Sequence, residues 1–316
     1  MSAPTQHPAR EGQTFQGTSR LSLYASFVKL PHTVFALPFA LVGVTLASYR
    51  YPVTWRSVAW TVLAFTAARF AAMGFNRIVD REYDARNPRT KMREIPRGVL
   101  GVREAWVSVA VASMVFVLAA RALNPLCFAL APIALAWVFF YSYTKRFTRF
   151  AHLVLGLGLS IAPVGGYLAV AGRWSPVWWM LCALALAVAT WVGGFDILYA
   201  LPDVDFDRSN ALHSIPAAIG VQRAIVFARA MHVTTILMLI ATGIGAGSMV
   251  IYFIGVAIAA AVLIYEHTLV KADDLSKLGA AFFTVNGVLS ITFLLFVVAE
   301  RLYAAAWMRA AMERGL

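Results

Sequence analysis

Long apolar segments alternate with short polar loops along most of the chain. Nine runs of predominantly apolar residues match the length, about 20 residues, that an α-helix needs to cross a bilayer. They cover residues 30–48, 57–79, 105–122, 125–143, 151–171, 177–199, 224–246, 248–269 and 279–299. The pattern predicts an all-α, multi-pass membrane protein of about nine transmembrane helices. We expect a polar N-terminal tail (1–21), one transmembrane domain (22–300) and a C-terminal tail (301–316).

The composition agrees with a membrane protein and argues against a soluble one. Of 316 residues, 60% are hydrophobic and 13% are charged, and the mean hydropathy is +0.72. Soluble domains carry about 25% charged residues. Both cysteines, Cys127 and Cys182, fall within predicted spans, so neither a disulfide framework nor a zinc site is indicated.

The net charge of +12 reflects the side of the membrane on which basic residues lie, and we expect no nucleic-acid partner. With nine spans and the N-terminus inside, 17 of the 27 Lys and Arg residues fall on one face and 7 on the other. An excess of basic residues marks the cytoplasmic side. No signal-peptide pattern precedes the first span. We therefore expect a protein of the inner (plasma) membrane with a cytoplasmic N-terminus and no obligate protein partner.

An acidic stretch occurs twice, each time directly after an apolar run. The stretch DREYDARN (80–87) and the stretch DVDFDRSN (203–210) share acids, an aromatic residue and Asn at the same offsets. Each is followed by a similar Ile-Pro segment, IPRGVLGVREA (95–105) or IPAAIGVQRA (215–224). The similarity indicates an internal duplication, with copies around 57–123 and 177–246. It predicts a pseudo-symmetric bundle whose two acidic clusters face one cavity on the cytoplasmic side.

Helical spacing indicates which polar side chains of the first copy point the same way. Asn76, Asp80 and Asp84 are four residues apart and stack on one helix face. Arg69 lies seven residues before Asn76, on the same face and one level deeper.

The second copy contains a comparable stripe. Asp196, Tyr199, Asp203 and Asp207 are spaced so that they share one face, whereas Asp205 points away, as a supporting or solvent-facing residue. Pro202 is expected to kink the helix or to begin a new short one.

Two carboxylate clusters beside a basic loop predict a metal and a phosphorylated ligand. Crowded carboxylates near a membrane are costly unless positive charge lies among them. Mg²⁺ binds through one or two carboxylates plus substrate phosphate, and basic side chains complete the binding of phosphate oxygens. The basic loop supplies Arg89, Lys91, Arg93 and Arg97.

These residues resemble the UbiA superfamily of intramembrane prenyltransferases. The similar elements are Asn76-x-x-x-Asp80-x-x-x-Asp84, the loop RTKMREIPRG, the segment DILYALPDVDFD and YSYTKR at residues 141–146. The resemblance covers nearly the whole chain. It implies a nine-helix bundle, Mg²⁺ as cofactor, a polyprenyl diphosphate donor and a small aromatic acid as acceptor.

The resemblance also implies a role for each matching residue. Asp80 and Asp84 would bind one Mg²⁺, and Asp203 and Asp207 another. The residues expected at the diphosphate are Asn76, Arg89, Arg93, Tyr141 and Lys145. Those expected at the reacting centre are Lys145, Asp196 and Tyr199. Arg69 and Asp205 are expected as supporting residues on the basis of their helical spacing alone.

The sequence leaves alternatives open for the acceptor substrate and for the class of protein. Glu94, and the segment KLPHTVFALPFALVG at 29–43, depart from many quinone-pathway members. The acceptor could therefore be 4-hydroxybenzoate, for ubiquinone synthesis, a dihydroxynaphthoate, for menaquinone synthesis, or another molecule.

Two other classes of membrane protein were compared with this pattern. A secondary transporter would also show many helices and a repeat, but its ionisable groups should lie near mid-membrane. A phosphatidyl-type phosphotransferase is disfavoured because the sequence contains no Asp-Gly dipeptide.

Overall fold

A computed structural model describes residues 19–280 and 284–313, and these residues form a helical bundle. The helices before the second acidic stretch are α1 (Arg20–Phe27), α2 (Leu30–Ala47), α3 (Trp55–Val79), α4 (Arg81–Arg86), α5 (Val102–Leu123), α6 (Pro125–Thr144), α7 (Ala151–Ala171) and α8 (Trp178–Tyr199). After a 3₁₀ turn at Leu201–Asp203 come α9 (Val204–Ser209), α10 (Ile215–Ile219), α11 (Val221–Ala246), α12 (Val250–Leu269), α13 (Leu278–Ala280) and α14 (Asn286–Glu313).

Eight helices among the described residues are long and apolar enough to cross a membrane. They are α3, α5, α6, α7, α8, α11, α12 and α14. The predicted all-α membrane class is confirmed, and these spans lie close to the apolar runs of the sequence. The remaining predicted span corresponds to α2, of which Ala36–Ala47 counts as a shorter apolar helix, so the count of nine stays a prediction.

The last helix extends beyond its predicted end. It runs from Asn286 to Glu313, so most of the tail expected at 301–316 is helical. The segment 301–313 is rich in Ala, Met and Arg, which favour helix without being apolar enough to read as a span. Most of the polar tail expected at 1–21 lies outside the described residues.

Helix α8 is the central element, and 78% of its apolar stretch is buried. Helix α7 packs between α8 and α2. A Cβ at Gly156 would collide with the Ala189 carbonyl of α8, and a Cβ at Gly166 would collide with the Ala40 carbonyl of α2. Membrane helices commonly use small residues for such close approach, and here they hold α8 in the middle of the bundle.

A buried polar network joins α8 to the last three long helices. The Trp191 indole N–H donates to Asn286 Oδ1 at 2.7 Å, and Asn286 Nδ2 donates to Glu266 Oε1 at 3.0 Å. His232 lies 3.2 Å from the Trp191 carbonyl and 3.0 Å from His267. Hydrogen bonds between membrane helices are worth about 0.6–2 kcal/mol each, so the network fixes how these helices pack against α8.

The two repeat copies have the same order of elements at their acidic ends. In each copy an Asp precedes a six-residue helix, and a second long helix then packs along the first long helix. Asp80 directly follows α3, whereas Asp203 is the last residue of the 3₁₀ turn that follows α8. The Asp at the junction has φ −91° and ψ 4° in the first copy (Asp80), and φ −91° and ψ 2° in the second (Asp203). The backbone therefore brings both acidic stretches to the same end of the bundle.

Candidate active site

A cavity of about 250 Å³ lies between the ends of α3, α6 and α8 and the short helices α4 and α9. Twelve of the thirteen predicted site residues line it: Arg69, Asn76, Asp80, Asp84, Arg89, Arg93, Tyr141, Lys145, Asp196, Tyr199, Asp203 and Asp207. The thirteenth, Asp205, is exposed on the solvent-facing side of α9 and is not among the lining residues. Spacing left two positions open for Asp205, supporting or solvent-facing. The helix turns its side chain toward solvent, and a supporting role for this residue stays a prediction.

The first acidic cluster follows α3 without loss of helical spacing. Backbone hydrogen bonds run from Asp80 N to Asn76 O at 2.9 Å and from Asp84 N to Asp80 O at 2.8 Å. Asn76 Nδ2 donates to Asp80 Oδ2 at 2.8 Å, and Arg93 Nη1 donates to Asp84 Oδ1 at 2.7 Å. The predicted stacking of these side chains on one face is thus present.

The second cluster is bound by the basic loop of the first copy. Arg89 Nε donates to Asp203 Oδ1 at 3.0 Å, and Arg89 Nη2 donates to the other carboxylate oxygen, which makes the pair bidentate. Arg89 Nη1 also donates to the Tyr199 hydroxyl at 3.0 Å, and Asn87 Nδ2 donates to Asp203 Oδ1 at 3.2 Å. Bidentate Arg–carboxylate pairs are among the strongest charge-assisted contacts, so this pair joins the two halves.

The end of α6 supplies one cation to each half. Lys145 Nζ lies 3.8 Å from Asp207 Oδ2, and Arg146 Nη2 lies 3.6 Å from Asp80 Oδ1. Each of the four carboxylates predicted to bind metal is therefore paired with a Lys or Arg side chain.

Asp80 and Asp203, which occupy equivalent positions in the two copies, differ in their pKa. Burial and the neighbouring Asp84 raise the pKa of Asp80 to about 6. Burial would also raise the pKa of Asp203, but the charge and hydrogen bonds of Arg89 outweigh it and hold that pKa below its usual range. Burial opposes the charge of Lys145, yet Asp207 and Asp203 hold its pKa above the ordinary value. The negative charge of Asp80 is thus less well compensated by neighbouring cations than that of Asp203.

The membrane-side part of the cavity contains Arg69, Tyr141 and Asp196. The Arg69 Nε atom is buried and makes no hydrogen bond, and no described carboxylate lies within ion-pair distance of Arg69. Asp196 is 17% exposed, and its Oδ2 lies 2.6 Å from Nδ1 of the fully buried His152. Arg69 is therefore a cavity cation that pairs with no carboxylate among the described residues.

Four residues of the site were not assigned roles from the sequence. Lys29, Asn87 and Arg146 line the cavity, and His152 contacts Asp196 from behind. Asn87 was visible as a shared position of the repeat and Arg146 as the end of the YSYTKR segment. Neither Lys29 nor His152 belongs to a repeated stretch, so their proximity to the site depends on helix packing alone.

The oxygens of the site fit the predicted Mg²⁺. Asp84 Oδ2 and Asp207 Oδ2 are buried and accept no hydrogen bond, so each cluster retains a hard oxygen donor. Among the described residues, no group of three or more His, Cys, Asp or Glu side chains could hold a metal ion by itself. That donor set suits a cation that binds through one or two carboxylates together with water and substrate phosphate.

Comparison with known proteins gives relatives along most of the chain. Residues 36–297 match the model of the UbiA prenyltransferase family. A 4-hydroxybenzoate octaprenyltransferase from Aromatoleum aromaticum is 28% identical over 292 residues, which cover 92% of this chain and 98% of that protein. A protein of the same name from Vibrio cholerae serotype O1 is 31% identical over 235 residues, which cover 71% of this chain and 78% of that protein.

Solved structures share the fold. The apo structure of a UbiA homologue from Aeropyrum pernix K1 superposes with a TM-score of 0.74 at 32% identity, covering 87% of this chain and 98% of the other. A UbiA homologue from Archaeoglobus fulgidus bound to GPP and Mg²⁺ gives a TM-score of 0.69 at 19% identity, covering 88% and 99%. The chain therefore belongs to the UbiA prenyltransferase family and is a membrane-bound prenyltransferase.

Proposed function

We propose that the protein transfers a polyprenyl group from an isoprenyl diphosphate to a hydroxyaromatic acid, with Mg²⁺ as the required cation. The observation that carries this proposal is the arrangement of charge in one cavity. Four carboxylates, each paired with a cation, surround the mouth, and Arg69 lies beyond them with no carboxylate partner in the part of the chain that the structure describes. The names of the curated relatives support 4-hydroxybenzoate as the acceptor.

The mouth of the cavity suits a diphosphate that arrives with divalent cations. Its charged lining is nearly balanced, with the basic residues Lys29, Arg69, Arg89, Arg93, Lys145 and Arg146 against the acidic residues Asp80, Asp84, Asp196, Asp203 and Asp207. A diphosphate alone would leave a large excess of negative charge. Mg²⁺ bound by the two clusters would neutralise that excess and polarise the bond to the departing diphosphate.

The basic residues can hold the departing group without large movement. Arg89 and Arg93 present planar forks, which match phosphate oxygens, and Lys145 presents a point charge. These cations are already ordered by Asp203, Asp84 and Asp207, respectively. Ordered donors stabilise charge as it develops because they need no reorganisation during the reaction.

Arg69 supports an acidic acceptor. A guanidinium without a carboxylate partner in a membrane protein is costly, and a substrate carboxylate would supply the missing partner. The electron-rich ring would then lie between Arg69 and the mouth, beside Tyr141 and Asp196. This arrangement explains why an aromatic acid suits the cavity better than a neutral phenol.

The reaction proceeds as an electrophilic aromatic substitution. The C–O bond between the prenyl C1 atom and the diphosphate breaks, and the diphosphate keeps the electron pair. The ring attacks C1 to form the new C–C bond, and the ring C–H bond then breaks so that its electrons restore aromaticity. Asp196 is the group that takes this proton, because it is the cavity carboxylate without a Lys or Arg partner in the described structure.

The cavity is proposed to open to the cytoplasm. The basic loop at 81–103 and the residues Lys145, Arg146 and Arg149 lie at the same end of the bundle as both acidic stretches. An excess of basic residues favours that end as cytoplasmic. Labelling of a single cysteine introduced at Asp205, in intact cells and in inverted membrane vesicles, would test this orientation.

Product formation tests the proposal. The purified protein in liposomes would receive Mg²⁺, a long-chain prenyl diphosphate and either 4-hydroxybenzoate or a dihydroxynaphthoate. Prenylated product is expected with one acceptor, and it should disappear with EDTA and in the double variant Asp80→Ala, Asp203→Ala. The matched control Asp205→Asn should retain activity, because this acid faces away from the cavity. No product and no Mg²⁺-dependent diphosphate release with any acceptor would contradict the proposal, and substrate uptake into sealed liposomes would favour a transporter.

A further inference from the structure

A buried histidine contacts the acidic residue that faces the reacting end of the cavity. His152, in the first turn of α7, is 0% exposed, and its Nδ1 atom lies 2.6 Å from Asp196 Oδ2. It is not one of the cavity-lining residues. His152 therefore contacts Asp196 from the protein side and leaves the other carboxylate oxygen to the cavity.

The environment of the ring identifies which nitrogen carries the hydrogen. An ionised Asp196 can only accept, so Nδ1 must donate in this contact. The Nε2 atom is buried and makes no hydrogen bond, and a second N–H there would be a donor without an acceptor. A buried donor without an acceptor is unfavourable, because it has lost its hydrogen bonds to water. The geometry thus favours the neutral imidazole with its hydrogen on Nδ1.

We propose that His152 is a positioning residue that holds Asp196 in the orientation that removes the proton from the alkylated ring. The inference rests on the proposed function and adds a residue to its proton-transfer step. A neutral Nδ1–H fixes one oxygen of Asp196 without cancelling its charge, whereas an Arg or Lys partner would lower its basicity. Asp80, Asp84, Asp203 and Asp207 each have such a cationic partner, and Asp196 has the histidine instead.

The His152–Asp196 contact lies between two closely packed helices, which fixes the orientation of the Asp196 side chain. Asp196 lies in the last turn of the central helix α8, and His152 lies on α7, which packs directly along it. Gly156 allows the backbones of these helices to approach closely. The donor is thus carried by a rigid pair of helices, which is the arrangement that a base acting on one ring position requires.

Two amide substitutions separate hydrogen bonding from packing. In His152→Asn the side-chain amide falls near the position of Nδ1, whereas in His152→Gln it falls near Nε2. Both replacements are polar and uncharged. We expect His152→Asn to keep most of the wild-type kcat and His152→Gln to lower kcat by about 10- to 100-fold, with little change in the KM of the prenyl diphosphate.

A ring-deuterated acceptor provides a readout that simple destabilisation would not change. We expect the wild-type enzyme to show almost no isotope effect, since a well-oriented base should make loss of the ring proton faster than C–O bond breaking. His152→Gln should show a clear primary isotope effect, because loss of the ring proton becomes limiting. His232→Leu, which removes another buried histidine from the network around α8, is the control for lost stability and should not raise the isotope effect.

The outcomes distinguish the two proposals. Product formation by the wild-type enzyme tests the prenyl transfer itself and does not depend on His152. If the wild-type enzyme is active and His152→Gln shows the same isotope effect as the wild type, the role of His152 in proton removal is refuted. A raised isotope effect in His152→Gln, with kcat restored in His152→Asn, supports it.

Discussion

Asp80 and Asp203 occupy equivalent positions in the two copies, and replacing each with Asn should change stability in opposite directions. Their backbone angles agree to within a few degrees, so local conformation does not distinguish them. Asp80 has Asn76 and, at 3.6 Å, Arg146 as partners, whereas Asp203 has a bidentate Arg89. In the metal-free protein we expect Asp80→Asn to stabilise the fold and Asp203→Asn to destabilise it.

The magnitude for Asp80 comes from its pKa. A rise from an ordinary value of 3.8 to about 6 corresponds to about 3 kcal/mol of unfavourable free energy for the ionised form. The side chain is 31% exposed to the cavity, and solvent screening reduces this to about 1–2 kcal/mol. For Asp203, removal of the charge would break its bidentate ion pair with the buried Arg89, and breaking a buried ion pair costs about 3–5 kcal/mol.

The two variants should also differ in their pH dependence. The folded protein holds a proton on Asp80 more tightly than the unfolded chain, so the contribution of Asp80 to the free energy of unfolding falls as the pH rises from 3.8 to about 6. The gain from Asp80→Asn should therefore be larger at about pH 7.5 than at about pH 5. The pKa of Asp203 is depressed, so its stabilising contribution is lost only when the pH falls below the ordinary carboxylate pKa. The decrease in the free energy of unfolding caused by Asp203→Asn should therefore be the same at about pH 5 and about pH 7.5.

Thermal unfolding in detergent with EDTA, monitored at both pH values, measures these effects. The expected result is a higher Tm for Asp80→Asn than for wild type and a lower Tm for Asp203→Asn. Addition of Mg²⁺ should raise the wild-type Tm and should raise that of Asp80→Asn less. A Tm of Asp80→Asn at or below wild type at about pH 7.5 would refute the argument from burial and charge.

Three further predictions concern the acceptor and the helix packing. Arg69→Gln should raise the acceptor KM by about 10- to 100-fold and leave the prenyl diphosphate KM unchanged, which steady-state kinetics would test. Gly156→Ala should lower stability by about 1–3 kcal/mol, because its methyl group meets the Ala189 carbonyl; an unchanged Tm would contradict the close packing. Asn286→Leu should cost about 1–3 kcal/mol by removing the hydrogen bonds of Asn286 to Glu266 and to the buried Trp191 indole N–H, and activity measured below the Tm should remain.

The spans and the same-face residues could be predicted because they depend on local sequence. Apolar runs of membrane length identify helices directly. The stripe of Asn76, Asp80 and Asp84 was predictable because the i to i−4 hydrogen bonds continue through the end of α3. At Pro202 the chain forms a 3₁₀ turn, and Asp203 and Asp207 still face the cavity, as their spacing predicted.

The pairing of charges could not be predicted because it depends on distant segments. Arg89 and Asp203 are 114 residues apart, and His152 and Asp196 are 44 apart. The repeat indicated that two acidic clusters would meet, but it did not indicate which cation would bind which carboxylate. His152 gives no pattern in the sequence, because a single histidine at the start of an apolar helix is commonly a packing residue.

The repeat explains why one acidic cluster is better compensated than the other. The loop after the first acidic stretch contains Arg89 and Arg93, whereas the segment 211–214 after the second contains no Lys or Arg. Arg89 crosses to Asp203, and Arg93 stays with Asp84. Asp80 is left with the more distant Arg146. The two copies have similar backbone conformations at their acidic ends, but only the first copy supplies cations from its loop. The full ionisation of Asp80 therefore depends more than that of Asp203 on a further positive charge in the cavity.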